Sequence, residues 1–161
     1  MVTDAQDEEN ASRRDPDELH TRFFRLNSRL LTAGDRLVAE LGLTSARWQI
    51  LGAITAAQQP QPVAWIARDL SANRQNVQRI VNDLEEEGLV RFEVNPHHRR
   101  AQLVVLTDKG RQAFDAAMGL QAAWVNRLSD GLSVEEIEAA HRVMIRLRNN
   151  LEDSMETENL E

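Results

Sequence analysis

Cysteine is absent from the 161 residues of the chain. That excludes disulfides, thiolate zinc sites, cysteine nucleophiles and thiol redox sensing together. No glycine-rich phosphate loop occurs, and no nucleophile–base pair is readable by spacing, so neither an enzyme nor a bound cofactor is expected. The four histidines are the adjacent pair His97-His98 and the distant His20 and His141, a poor ligand set, so no metal is expected either. A long apolar run is missing too. The longest uncharged stretch, residues 48–67, carries Gln58, Gln59, Pro60, Gln61 and Pro62 in its middle. It reads as two soluble segments joined by a turn, with no membrane partner. The opening ten residues are acidic and polar, the opposite of a signal peptide, so a cytoplasmic protein is expected.

What is present suits one domain with a sizeable core: 42% hydrophobic and 28% charged residues. The net charge of −7 argues at first against polyanionic partners. Its distribution argues otherwise. Residues 1–18 hold seven acids against two arginines, and residues 152–161 hold five acids and no base. The segment between them has seventeen basic against fourteen acidic residues. The expected organisation is therefore an acidic tail over 1–18, a single domain over 19–151 and an acidic tail over 152–161.

Asp15-Pro16-Asp17-Glu18 offers a cap, a first-turn proline and first-turn acids. Leu19, Phe23, Leu26, Leu30, Leu37 and Leu41 follow at helical spacing, predicting a long helix over about 17–41. Thr44 caps a second helix, with Leu43 and Trp48 as a hydrophobic staple. A short third helix over 63–70 precedes a fourth over 73–87, which Gly88 ends. Residues 89–94 and 103–106 read as a hairpin whose loop is 95–102. Thr107-Asp108 opens a fifth helix over about 108–129, and the capping box Ser133-Val134-Glu135-Glu136 opens a sixth over 133–151. The predicted fold is mainly α with a small β-hairpin: a winged helix-turn-helix over about 44–107, flanked by long dimerisation helices. Those long amphipathic helices have too little protein to cover them and need each other or a second subunit.

In the fourth helix Val77, Ile80, Val81 and Leu84 share one face, as spacings of three and four residues require. The opposite face carries Gln75, Gln78, Arg79 and Asn82, flanked by Asn73, Arg74 and Asn76, and no acid occurs between Leu70 and Asn82. Amides and guanidiniums are the groups that bond base edges and phosphates in a major groove. The acidic Glu85-Glu86-Glu87 lies at the far end. The hairpin loop adds His97, His98, Arg99 and Arg100 with no acid between Val94 and Thr107, a basic tip suited to phosphate contact or an adjacent minor groove. Any soluble helix has a polar outer face, and any turn can be charged. The order of elements tips the balance to double-stranded DNA. The competing expectation is a winged-helix module for protein–protein contact without sequence-specific DNA binding.

The run from Leu70 to Val90 resembles the recognition helix and following strand of the MarR family of bacterial regulators. Residues 95–101 resemble that family's wing, and Leu106-Thr107-Asp108-Lys109-Gly110 the leucine-threonine-x-x-glycine start of its fifth helix. The likeness spans roughly Leu19 to Leu151. It implies a homodimer built from the first, fifth and sixth helices, most often a repressor, on a pseudo-palindromic operator. It also implies that Arg99 reaches the minor groove and that a small, often aromatic or anionic effector releases the DNA. Two departures stand out: His98 replaces the aspartate usual before the arginine pair, and Asn73 replaces the usual serine cap.

Overall fold

The computed structural model describes residues 16–98 and 100–158. Among these described residues six α-helices and three short strands run in the order α1 (Pro16–Val38), α2 (Ser45–Ala56), β1 (Gln61–Pro62), α3 (Val63–Asp69), α4 (Arg74–Glu86), β2 (Val90–Glu93), β3 (Leu103–Leu106), α5 (Asp108–Leu128) and α6 (Val134–Glu158). A 3-10 turn, Ala39–Leu41, tightens the end of α1, and Gly42 closes it at φ 68°. No described helix is long and apolar enough to cross a membrane.

The starts of α2, α4, α5 and α6 satisfy orphan N–H groups with a side chain the sequence supplies. Thr44 accepts from the Arg47 N–H at 3.3 Å. At the start of α6, Ser133 and Glu136 exchange reciprocal bonds, with the Ser133 N–H on Glu136 Oε2 at 2.8 Å and the Glu136 N–H on Ser133 Oγ at 3.2 Å. Where α1 meets α2, the Ser45 N–H donates to Asp35 Oδ1 at 2.6 Å and Ser45 Oγ donates to the Leu31 carbonyl at 2.8 Å. Gly34 is required there, because a Cβ would press on Ser45 Oγ.

The sheet is antiparallel in the order β1-β3-β2. Val90 faces Leu106 and Glu93 faces Leu103, as a hairpin demands. The third strand extends the expected hairpin: Gln61 and Pro62, read in the sequence as a turn, pair with Val104 and Leu103. Two residues cannot show an alternating pattern, and a proline is tolerated only because β1 is an edge.

The core lies between α2, α3, α4 and the sheet. Leu51, Ile66, Val77, Val81, Leu84 and Val104 are fully buried within it. Leu43 is buried and Trp48 packs against the same cluster, as expected of the staple. Val38 from α1 and Ala117 from α5 complete it.

The chain divides into two compact units, residues 1–121 and 122–161. The second holds the end of α5, a turn closed by Gly131 at φ 79°, and α6. Helix α6 runs to Glu158, seven residues beyond the predicted end at 151. Residues 152–158 are therefore helical, where the sequence reading placed an acidic tail. Likewise Pro16, Asp17 and Glu18 belong to α1 and not to a tail, while residues 1–15 lie outside the described residues.

Candidate nucleic-acid interface

The turn between α3 and α4 is four residues long and tight. Ala72 N–H bonds back to the Ala67 carbonyl at 2.8 Å, and Ser71 takes a left-handed φ of 49°. Left-handed backbone is costly without glycine, so the turn is held by the packing on either side of it. Asn73 then caps α4, its Oδ1 accepting from the N–H groups of Gln75 at 2.9 Å and Asn76 at 3.1 Å. Asparagine in place of serine keeps the capping chemistry intact.

Helix α4 presents its faces as its spacing predicts. Val77, Ile80, Val81 and Leu84 are buried, while Arg74, Gln75, Asn76, Arg79 and Asn82 are exposed and Gln78 is half-buried. The outer face is internally braced. Gln78 Nε2 donates to Asn82 Oδ1 at 2.9 Å, and an Arg79 Nη donates to Asn76 Oδ1 at 3.0 Å. Each bond joins neighbours one helical turn apart and leaves further N–H groups of Gln78, Asn82 and Arg79 free to donate outward.

The far end of α4 is anchored by three independent devices. Gly88 adopts φ 72°, ending the helix. Arg47, whose side chain is only 16% exposed, donates to the Gly42 carbonyl at 2.8 Å and places Nη2 2.5 Å from Glu87 Oε2. That contact is an ion pair without hydrogen-bond geometry, since Arg47 Nη2 makes no aligned bond. It ties the end of α4 to the turn that follows α1. The third device is the leucine-threonine-x-x-glycine segment. Thr107 Oγ1 donates to the Gly88 carbonyl at 2.7 Å and accepts the Gly110 N–H at 3.0 Å, and Lys109 Nζ donates to the Glu87 carbonyl at 2.6 Å. A Cβ on Gly110 would overlap the Leu89 carbonyl oxygen, so the glycine permits α5 to begin against the end of α4.

The wing is β2, β3 and their loop. Asn95 Oδ1 accepts the His97 N–H at 2.9 Å, and the His98 carbonyl accepts the Ala101 N–H at 3.0 Å. His97, His98 and Arg100 are exposed along this turn, and Arg99 lies outside the described residues. The loop brings one expected residue to the helix: Arg100 lines a groove together with Arg74 and Gln78 of α4. Gln102 and Ala64 line the same groove and were not singled out in the sequence. Only the folded arrangement puts them beside Arg74. Of the aromatic and histidine residues on the long helices, His20 stacks edge-on against Phe24 at 4.6 Å and Trp48 packs against the core.

Comparison with known proteins decides the family. A family model described as the MarR family matches residues 41–101, the whole helix-turn-helix and most of the wing. An uncharacterized protein of Mycobacterium tuberculosis is 36% identical over 124 residues, 77% of this chain and 85% of its own. The transcriptional activatory protein BadR of Rhodopseudomonas palustris is 25% identical over 136 residues, 83% of this chain and 78% of its own. A solved structure of the transcriptional repressor CouR bound to a 23-mer DNA duplex superposes with a TM-score of 0.73 at 27% identity, covering 81% of this chain and 92% of that one.

The chain belongs to the MarR family. It is a transcription regulator with a DNA-binding winged helix. Within this MarR-family chain the matched segment contains every device that fixes α4 except the Thr107–Gly110 lock just downstream. The family likeness therefore covers both the helix and most of what aims it. The His98 substitution sits in the wing itself, where among the described residues no carboxylate bonds to the loop arginine Arg100.

Proposed function

We propose that the chain is a homodimeric repressor that occupies a pseudo-palindromic operator and is released by a small-molecule effector. The observation that carries the DNA reading is the outer face of α4 from Arg74 to Asn82, an acid-free array of amides and guanidiniums on a helix whose inner face is buried. Gln75, Gln78, Arg79 and Asn82 read base edges in the major groove, with Asn73, Arg74 and Asn76 at the helix start on or near phosphate. The wing residues His97, His98, Arg99 and Arg100 meet the adjacent backbone or minor groove. Two copies of α4 in a symmetric dimer address successive major grooves about 34 Å apart.

Self-association is supported by exposed apolar residues on the long helices: Leu19, Phe24 and Leu26 on α1, and Ile137, Met144 and Leu151 on α6. The repressor CouR and the activatory BadR are similar to this chain at nearly equal identity. Occlusion of a promoter needs only binding at an overlapping site, so repression is the simpler assignment. An effector works by preferring a dimer shape in which the spacing of the two recognition helices is wrong, and can shift the balance only by its differential affinity for the two shapes.

An electrophoretic shift of the full chain with DNA from upstream of its own gene, at physiological salt, tests the reading. A discrete dimer-sized complex that survives excess unrelated DNA supports it. Failure to bind any duplex, with a stable monomer or a protein partner instead, favours a winged-helix module for protein–protein contact.

A further inference from the structure

The groove shared by α4 and the wing has a character that the recognition face does not explain. Its volume is about 100 Å³, well under the ~300–1,000 Å³ of small-molecule pockets. It is the size for a small anion. Arg74 and Gln78 line it from α4, Arg100 and Gln102 from the wing, and Ala64 and Phe92 supply apolar wall. No acidic residue lines it.

The two arginines differ from others nearby. Arg47, Arg79 and Arg91 each have a hydrogen-bonded partner in the fold. Among the described residues neither Arg74 nor Arg100 has a hydrogen bond or an ion pair. Two guanidiniums facing one acid-free groove repel each other unless an anion lies between them, and a phosphate offers oxygens to both in forked geometry. The backbone of α4 contributes little here, because the N–H groups of Gln75 and Asn76 are already taken by the Asn73 cap. The charge that would hold an anion comes from the side chains.

We propose that this groove seats a single backbone phosphate of bound DNA, gripped by Arg74 from the helix and by Arg100 from the wing. The proposal rests on the DNA-binding reading above. DNA is the source because the groove opens between the two elements that would straddle one strand, α4 in the major groove and the wing beside it. One shared phosphate then fixes the register of helix against wing, and Gln102 adds an uncharged N–H donor. The one N–H that Gln78 keeps after its bond to Asn82 is left for a base edge.

Sharing makes a prediction that two separate contacts do not. Anisotropy titrations of a fluorescent operator duplex over a range of salt compare the wild-type dimer with Arg74→Ala, Arg100→Ala and the double variant. Each neutralised phosphate contributes about 0.9 to the slope of log affinity against log salt. The double variant is expected to lose about one such unit per half-site, and each single variant less than one. A single methylphosphonate linkage per half-site should erase the difference between wild type and both single variants. A double variant losing about two units per half-site, or two different linkages answering to the two arginines, overturns the shared seat. So does inorganic phosphate binding to wild type, and not to the double variant, without weakening operator binding, since the groove would then be a free-anion site. If wild type binds no duplex at any salt, the DNA-binding reading itself fails and the seat with it.

Discussion

The helix-turn-helix lobe and the C-terminal helix handle apolar surface in opposite ways. Among the described residues every buried apolar side chain lies between Val38 and Ala117, and these side chains meet in one cluster. Helix α6 spans 25 residues and has no buried residue among its described side chains, although Val134, Ile137, Val143, Met144, Ile145 and Leu151 all lie on it exposed. The lobe closes a core of its own; α6 carries an exposed apolar side. Contiguous exposed apolar residues of this kind mark an interface, whereas burial within the lobe serves to hold α4 still. The comparison separates two tasks that the proposal gives one chain: aiming a surface, and finding a second copy.

The difference can be broken from either side. The largest effect is expected from charging the α6 seam. Met144→Glu with Leu151→Glu should convert a dimer into a monomer by sedimentation velocity, while the lobe's near-UV signature of Trp48 persists. A variant that stays dimeric would move the interface elsewhere. Next comes the lobe core. Leu84→Ala removes a fully buried side chain and should lower unfolding free energy by about 2–5 kcal/mol in denaturant titrations. A loss under about 1 kcal/mol would mean that α4 is not seated as described. Asn73→Ala deletes the cap that accepts two N–H groups and should cost about 1 kcal/mol, within a range of roughly 0.5–2. Thermal melts read that loss, and Asn73→Ser should restore it.

The smallest effect belongs to Glu135 in the first turn of α6. Its carboxyl is held below the usual carboxylate range by a backbone N–H bond first and by the Ser133 hydroxyl second. A lowered folded-state pKa stabilises above the ordinary carboxylate pKa and loses that contribution as pH falls through the folded value. The group is fully exposed, so Glu135→Gln should change helicity only slightly at neutral pH and narrow its fall in acid, as circular dichroism would show. A larger change in acid than at pH 7 would reverse the sign of the argument.

Most of the lobe was legible because its signals are local. A cap, a three-four apolar spacing and a closing glycine place α4 within a residue at each end. The face opposite Val77, Ile80, Val81 and Leu84 follows from the helix period alone. Strand β1 was not legible, because two residues carry no period. The run of α6 past Leu151 was hidden by its acids. Composition cannot separate a solvated helix from a tail, and the Arg148–Glu152 pair that links the two parts is visible only once the helix exists. At the site, the outer face of α4 could be read from spacing, but the meeting of Arg74 with Arg100 could not. They are brought together by the fold of the hairpin over α3 and α4. The lock at Gly110 was visible as a motif; its physical reason, the Leu89 carbonyl in the place of a Cβ, required coordinates.

The central claim is that α4 aims an amide-rich face at base edges, so the most direct measurement is a ratio of affinities. Anisotropy at one fixed physiological salt, with the operator duplex and a scrambled duplex of equal length, is run on wild type and Gln78→Ala. A base-reading Gln78 predicts that operator affinity falls by about 1–3 kcal/mol while scrambled-sequence affinity barely moves, so the ratio collapses. Equal losses on both duplexes, or an unchanged ratio, would contradict base readout by α4.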